Sequence, residues 1–187
     1  MARYVCHQSN WGAMATIAAR TPIVGFPFAN VFSLSDGPVG ESTGTPYIYA
    51  TPMEISFHDL RANPQASITM SLAQVNHHAF NCISFDRPNF FLQGNYCTEK
   101  HYDPMDPRCA HIILTGSMVS VPKDSQEGEF AKRALFSRHP VMPDWPKDHG
   151  WFFTKLNITN VIVLDFFGGA ITVPLEEYFN ATVDPDM

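Results

Sequence analysis

The residues that could do chemistry are eight histidines, four cysteines and two N-x-T sequons. The histidines are His7, His58, His77, His78, His101, His111, His139 and His149. None stands at HExxH or HxH spacing and no CxxC pair occurs, so a zinc site is not expected. Serine, histidine and aspartate are all present, but no G-x-S-x-G elbow presents a nucleophile. Asp36-Gly37-Pro38 reads as a turn rather than an acid catalyst. Asp165 lies in an apolar stretch; if buried it needs a partner, and a structural hydrogen bond is expected there rather than a general base. His139, in Arg138-His139-Pro140, is expected to bond carbonyls at the end of a helix. His149, among Trp145, Pro146 and Trp151, is expected to stack. No catalytic residue and no metal ligand is therefore expected.

The sequons are Asn157-Ile158-Thr159 and Asn180-Ala181-Thr182. They matter only in a chain that enters the secretory pathway. Met1-Ala2-Arg3 leads straight into domain sequence with no signal peptide, which read alone indicates the cytoplasm. The two readings are reconciled if this is a mature chain or a truncated reading of the gene. Cys6 and Cys82 leave two readings open, an extra bridge or free thiols.

A chain of 187 residues with 45% apolar content suggests one domain over residues 1–187, large enough for a proper core. Fifteen phenylalanines imply a large buried aromatic volume, and fifteen prolines imply ordered loops and interrupted helices. A net charge of −6 gives no footprint for nucleic acid. No uninterrupted apolar stretch approaches membrane-spanning length, so membrane insertion is not expected.

The elements that must position these residues are mostly strands. Residues 12–18 and 27–35 are apolar and β-prone. A Gly/Pro/Ser loop over 36–45 leads to a strand over 46–50, giving a hairpin-like pair. Residues 52–63 carry a helical pattern through Ile55, Phe57 and Leu60, stopped by Pro64. Residues 66–73 alternate as a strand, and 110–121 form a long one through Ile112, Leu114 and Met118. The clearest helix is 124–138, with Phe130, Ala131, Ala134 and Leu135 on one face. Its acidic residues lie early and its basic residues late, as the helix dipole prefers. Residues 151–160 are strand-like, 161–167 a buried strand, and Gly168-Gly169 turns into 170–173. The fold class expected is mainly β with flanking helices, a small barrel with helices at its ends.

Two resemblances sharpen this. The unit from Ile48-Tyr49-Ala50-Thr51 through Phe57-His58-Asp59-Leu60-Arg61-Ala62-Asn63-Pro64 to Ala66-Ser67-Ile68 resembles the FMN-binding split β-barrel of pyridoxamine-phosphate oxidases. Within that superfamily the chain resembles the CREG family of secreted and lysosomal glycoproteins. The carrying residues are Arg3-Tyr4-Val5, Trp11 to Ile17, Leu34-Ser35-Asp36-Gly37-Pro38, Ala73-Gln74, Arg138-His139-Pro140, Trp145-Pro146, Trp151 to Asn160, Leu164-Asp165 with Phe167-Gly168-Gly169, and Glu176-Glu177-Tyr178.

The CREG resemblance implies a secreted or endolysosomal glycoprotein, glycosylated at Asn157 and Asn180, that acts as a non-catalytic homodimer in growth and differentiation. It implies recognition by the mannose 6-phosphate/insulin-like growth factor II receptor. It also pairs Cys97 with Cys109 in a disulfide, and fills the flavin cleft with protein loops. The aromatic runs Phe152-Phe153 and Phe166-Phe167 are expected in the barrel core and dimer interface. A nuclear-repressor role, suggested only by the family's name, is opposed by the acidic charge and the sequons.

The split-barrel resemblance implies the alternative, an FMN-dependent oxidoreductase with flavin at the dimer cleft through Asn30, Ser35, Tyr49 and Ala50. Here the chain departs from the flavin enzymes. In their R-x-V-L-L-K strand both cations serve the FMN phosphate; Asn30 takes the Arg place and Ser35 the Lys place. The helical R-K pair falls on Ile55-Ser56. Neutral donors bind a phosphate dianion more weakly than cations do. His58 and Arg61 stand nearby as partial substitutes. A second departure is an insertion over 75–93, after which Gly94-Asn95-Tyr96-Cys97 restores the CREG spacing. It is expected to be an unspliced short intron or a lineage-specific loop.

Overall fold

A computed structural model describes residues 1–74, 97, 101–165, 167 and 169–183. The insertion over 75–93, with His77, His78 and Cys82, lies outside the described residues, as does Phe166.

Among these residues seven strands form one antiparallel sheet. They are β1 (Trp11–Ile17), β2 (Pro27–Ser33), β3 (Tyr47–Ala50), β4 (Gln65–Ser71), β5 (His111–Val121), β6 (Phe152–Leu164) and β7 (Ile171–Val173). Their order is β2-β1-β4-β5-β6-β3, with β7 also on β6. The far edge of β6 is shared: Phe152 to Lys155 pair with β3, and Val161 to Val163 with β7. The sheet curls until its two ends meet. Just past β2, Ser35 donates its N–H to the Tyr47 carbonyl at 3.2 Å and accepts the Tyr47 N–H at 2.8 Å. This is the split β-barrel fold class, as expected.

Alternation explains which residues fill the barrel. Ile68 and Met70 on β4, and Ile112 and Leu114 on β5, are each at most 2% exposed, while their sequence neighbours face outward. Helix α1 (Ala2–Gln8) adds Tyr4, Val5 and Cys6 to this core. Six of its seven residues are buried, so no amphipathic stripe marks it in the sequence. Helix α2 (Ile55–Ala62) contributes Phe57 and Leu60, with the Phe57 ring edge-on to both Phe32 and Phe152. Helix α3 (Gln126–Arg138) builds a second cluster outside the barrel from Ala131, Leu135, Tyr47, Val121, Met142 and Phe153. The Ser125 hydroxyl accepts the Gly128 N–H at 2.9 Å and caps α3. Helix α4 (Leu175–Asn180) completes the described elements.

Two expected strands prove to be one. The runs over 151–160 and 161–167 form the single strand β6, which absorbs a β-bulge where the register with β5 shifts between Thr115 and Gly116. Only glycine suits position 116, because a Cβ there would lie 2.0 Å from the Asn157 carbonyl oxygen. The helix expected from 52 begins at Ile55, since Pro52 to Glu54 form a turn whose last residue is the cap. The disulfide between Cys97 and Cys109 is formed, with Cα atoms 5.4 Å apart, as the CREG resemblance implies. Cys6 is a free, buried thiol.

Candidate functional site

Asn30 sits mid-strand on β2, opposite Met14 of β1. Its amide nitrogen donates to Glu54 Oε1 at 2.9 Å. Glu54 is the N-cap of α2, and its Oε2 accepts the Ser56 N–H at 2.8 Å. The Ser56 hydroxyl lies 3.5 Å from Oε1. One carboxylate thus gathers the donors of two places, Asn30 and Ser56, where a flavin enzyme would keep cations for its phosphate. The helix N-terminus that would favour a phosphate favours this carboxylate instead.

The other three expected cofactor residues lie apart from that cluster. Ser35 is fully buried on the barrel seam, and its hydroxyl donates to the Gly37 carbonyl at 3.0 Å while accepting the Gly37 N–H at 3.2 Å. Tyr49 faces out of the barrel into an aromatic cluster. Its ring stacks on Trp151 at 5.0 Å and Trp145 at 6.1 Å, and meets Phe136 edge-on at 5.3 Å. Burial raises its phenol pKa. Ala50 is buried opposite Phe152. His58 and Arg61 are exposed on α2, and neither bonds to the Asn30–Glu54 cluster. A phosphomonoester does not fit these residues as they stand. It would meet the Glu54 carboxylate beside Asn30, and the Asn30, Ser35 and Ser56 donors are already engaged.

The sequons lie on the surface. Asn157 is exposed on β6, opposite Ser117 of β5, and Asn180 is exposed at the end of α4. Thr159, the sequon's hydroxyl residue, is exposed and donates to the Thr115 carbonyl at 3.2 Å. His149 stacks on Trp151 with ring centres 6.0 Å apart, as expected. His139 caps α3, and its Nε2 approaches the Leu34 carbonyl at 3.0 Å, consistent with the expected carbonyl bonding. Asp165 is only half-buried, just beyond the end of β6.

One polar centre escapes the sequence reading. Asp36 is fully buried and pairs through Oδ1 with His7 Nδ1 at 2.7 Å. Its Oδ2 accepts the Ser42 hydroxyl at 2.5 Å and the Gly44 N–H at 3.0 Å. Arg138 Nη2 stands 3.1 and 3.2 Å from the two His7 ring nitrogens, and its Nε donates to the Gly37 carbonyl at 2.9 Å. Burial pushes the Asp36 carboxyl up, but the His7 bond and charge, with the Ser42 and Gly44 donors, outweigh it and hold it below the usual range. Arg3-Tyr4, Asp36-Gly37 and Arg138-His139 carry the family resemblance, but nothing in their spacing says that they converge.

The comparisons agree with this architecture. The family model described as "CREG, beta-barrel" matches residues 1–180. The chain is 49% identical to chicken (Gallus gallus) protein CREG1 over 182 residues, covering 96% of this chain and 84% of that protein. It is 45% identical to human (Homo sapiens) CREG1 over 183 residues, covering 98% and 74%. Among solved structures, a haem-binding protein from Mycobacterium smegmatis superposes with a TM-score of 0.64 at 17% identity, covering 95% of this chain and 57% of that one. At that identity the likeness shows the fold alone. The curled sheet, the disulfide and this identity along nearly the whole chain lead to one conclusion: the chain belongs to the CREG family.

Proposed function

We propose that this protein is a secreted or endolysosomal glycoprotein that works as a non-catalytic binding and regulatory homodimer in growth and differentiation. What supports the non-catalytic half is the Glu54 carboxylate, bonded to Asn30 and Ser56, two residues that the split-barrel resemblance sets against phosphate-binding cations. The flavoprotein alternative is supported by the fold class, which does not by itself confer the activity. FMN titration followed by absorbance and flavin fluorescence tests the reading. No saturable binding is expected, and a yellow protein or a saturable titration would overturn it.

Exposed apolar side chains support the homodimer. Phe26, Val31, Met53 and Ile55 are 63%, 64%, 67% and 43% exposed, on and beside β2 and at the start of α2. Large apolar groups left in water around an outer strand suit a partner surface. Sedimentation equilibrium is expected to give twice the chain mass. The exposed sequons support glycan attachment at Asn157 and Asn180, and through those glycans recognition by the mannose 6-phosphate/insulin-like growth factor II receptor. Capture on immobilised receptor is expected for secreted protein and lost in the Asn157→Gln, Asn180→Gln double variant. Capture of that variant would separate recognition from the glycans.

A further inference from the structure

We propose that the cavity between α1, the loop after Asp36 and the end of α4 binds a small amphiphilic anion, a carboxylate or phosphate monoester with a short apolar tail. The cavity has a volume of about 410 Å³ and includes Arg3, His7, Ser42, Val39, Phe179 and Val183 in its lining. This is the size range of small-molecule sites, and its mixture of a few polar groups with apolar walls suits an amphiphile.

The charge count points to an anion. Arg3 is 6% exposed, yet all its hydrogen bonds go to neutral oxygens. It donates to the Phe179 carbonyl at 3.0 Å, the Ser42 carbonyl at 2.8 Å, the Ser42 hydroxyl at 3.1 Å and, more weakly, the Tyr178 carbonyl at 3.4 Å. Its Nε is buried without a partner, pressed against Gly44. Arg138, in the same polar centre, also lacks a carboxylate partner among the described residues. Among the described residues Asp36 is the one carboxylate there, and it is engaged by His7, Ser42 and Gly44. Two guanidiniums therefore face one carboxylate, and a buried cation without a counter-charge is unfavourable. A ligand oxyanion entering beside Arg3 and Ser42 would restore the balance, while Val39, Phe179 and Val183 cover its tail.

Val39 provides a test that spares the fold, because it is 59% exposed on a loop. A Val39→Glu variant places a carboxylate in the cavity to compete for Arg3, and Val39→Gln matches its size without the charge. Full-length protein is titrated by calorimetry at low salt with hexanoate, butyl phosphate and, as the uncharged control, hexanol. Saturable binding of an anion is expected, weakened modestly in Val39→Gln, which loses apolar cover, and about tenfold or more beyond that in Val39→Glu, which adds the charge. The tighter of hexanoate and butyl phosphate then identifies the head group. Absence of binding by both anions, equal binding of hexanol, or equal affinity in the two variants would overturn the proposal.

Discussion

Glu54 and Asn30 are joined side chain to side chain, the carboxylate of a helix cap accepting the amide of a strand residue at 2.9 Å. The pair couples α2 to β2, the outermost strand of the sheet order. The carboxylate also satisfies the Ser56 N–H at 2.8 Å, one of the donors that a helix start leaves open. A single side chain thus caps α2 and ties it to β2 while placing negative charge beside Asn30, the residue that the split-barrel resemblance sets against a phosphate-binding cation.

Removing that carboxylate separates its two effects. Glu54→Ala is expected to destabilise by about 1 kcal/mol through loss of the cap. Glu54→Gln keeps an acceptor and should lose less. Neither variant creates a cation, so strong FMN affinity is not expected from either. Urea unfolding monitored by tryptophan fluorescence gives the stabilities, and a Glu54→Ala variant as stable as the parent would show that the cap carries no weight.

The Cys97–Cys109 disulfide closes a short loop onto the start of β5. Eleven residues lie between the cysteines, and chain-entropy arguments give about 3 kcal/mol for a loop near this size. Cys97→Ala, Cys109→Ala should therefore unfold at markedly lower urea concentration, and reductant should shift the parent towards the same midpoint. A reductant-insensitive parent would mean that the bridge is absent in solution.

Gly116 and Asn157 meet at the bulge that lets β6 follow the curl of β5. Gly116→Ala would drive a methyl group into the Asn157 carbonyl. Forced contacts of this kind cost roughly 1–3 kcal/mol. Thermal unfolding should fall accordingly. An unchanged midpoint would mean that the strands separate locally at little cost, and that the bulge does not fix the position of the sequon.

The strands and the α3 helix are legible because their signals are local: alternation at Ile68 and Met70, and an apolar face with ordered charge along α3. Helix α1 was not legible, because burial on all sides leaves no periodicity to read. Glu54 is silent in the sequence, since a cap defined by a turn at Pro52 and a distant strand amide has no local signature. The split-barrel alternative sets Ser35 against a cofactor; its burial follows from barrel closure with Tyr47, a contact that only the tertiary fold creates. The cluster of Arg3, His7, Asp36 and Arg138 draws on three separate regions of the chain. Local pattern reading identifies such residues one by one and cannot join them.

Acid should weaken this fold in two separable steps. His139 caps α3 beside Arg138, and burial lowers its pKa, assisted by the Arg138 charge and only partly offset by the Leu34 and Asn10 carbonyls. Its folded pKa therefore lies below the unfolded value of about 6.5, so the unfolded chain takes up the proton first. Stability is complete above that pH and falls as pH drops through the window below it. Asp36 is also depressed: burial raises it, but the His7 bond and charge with the Ser42 and Gly44 donors prevail. Its contribution is complete above the unfolded carboxyl value of about 3.9 and disappears only as pH falls through the lower folded value. His139→Gln, which keeps a donor for the Leu34 carbonyl, is expected to flatten the first step and leave the second. Asp36→Asn should destabilise by about 3–5 kcal/mol at neutrality, because it leaves buried His7 without its carboxylate, and the deficit should shrink as pH falls through the folded carboxyl's range. Urea midpoints from pH 8 to pH 3 for the parent and both variants measure this. A parent whose stability does not change between pH 7 and pH 5 would mean that His139 charges as readily in the folded protein as in the unfolded chain.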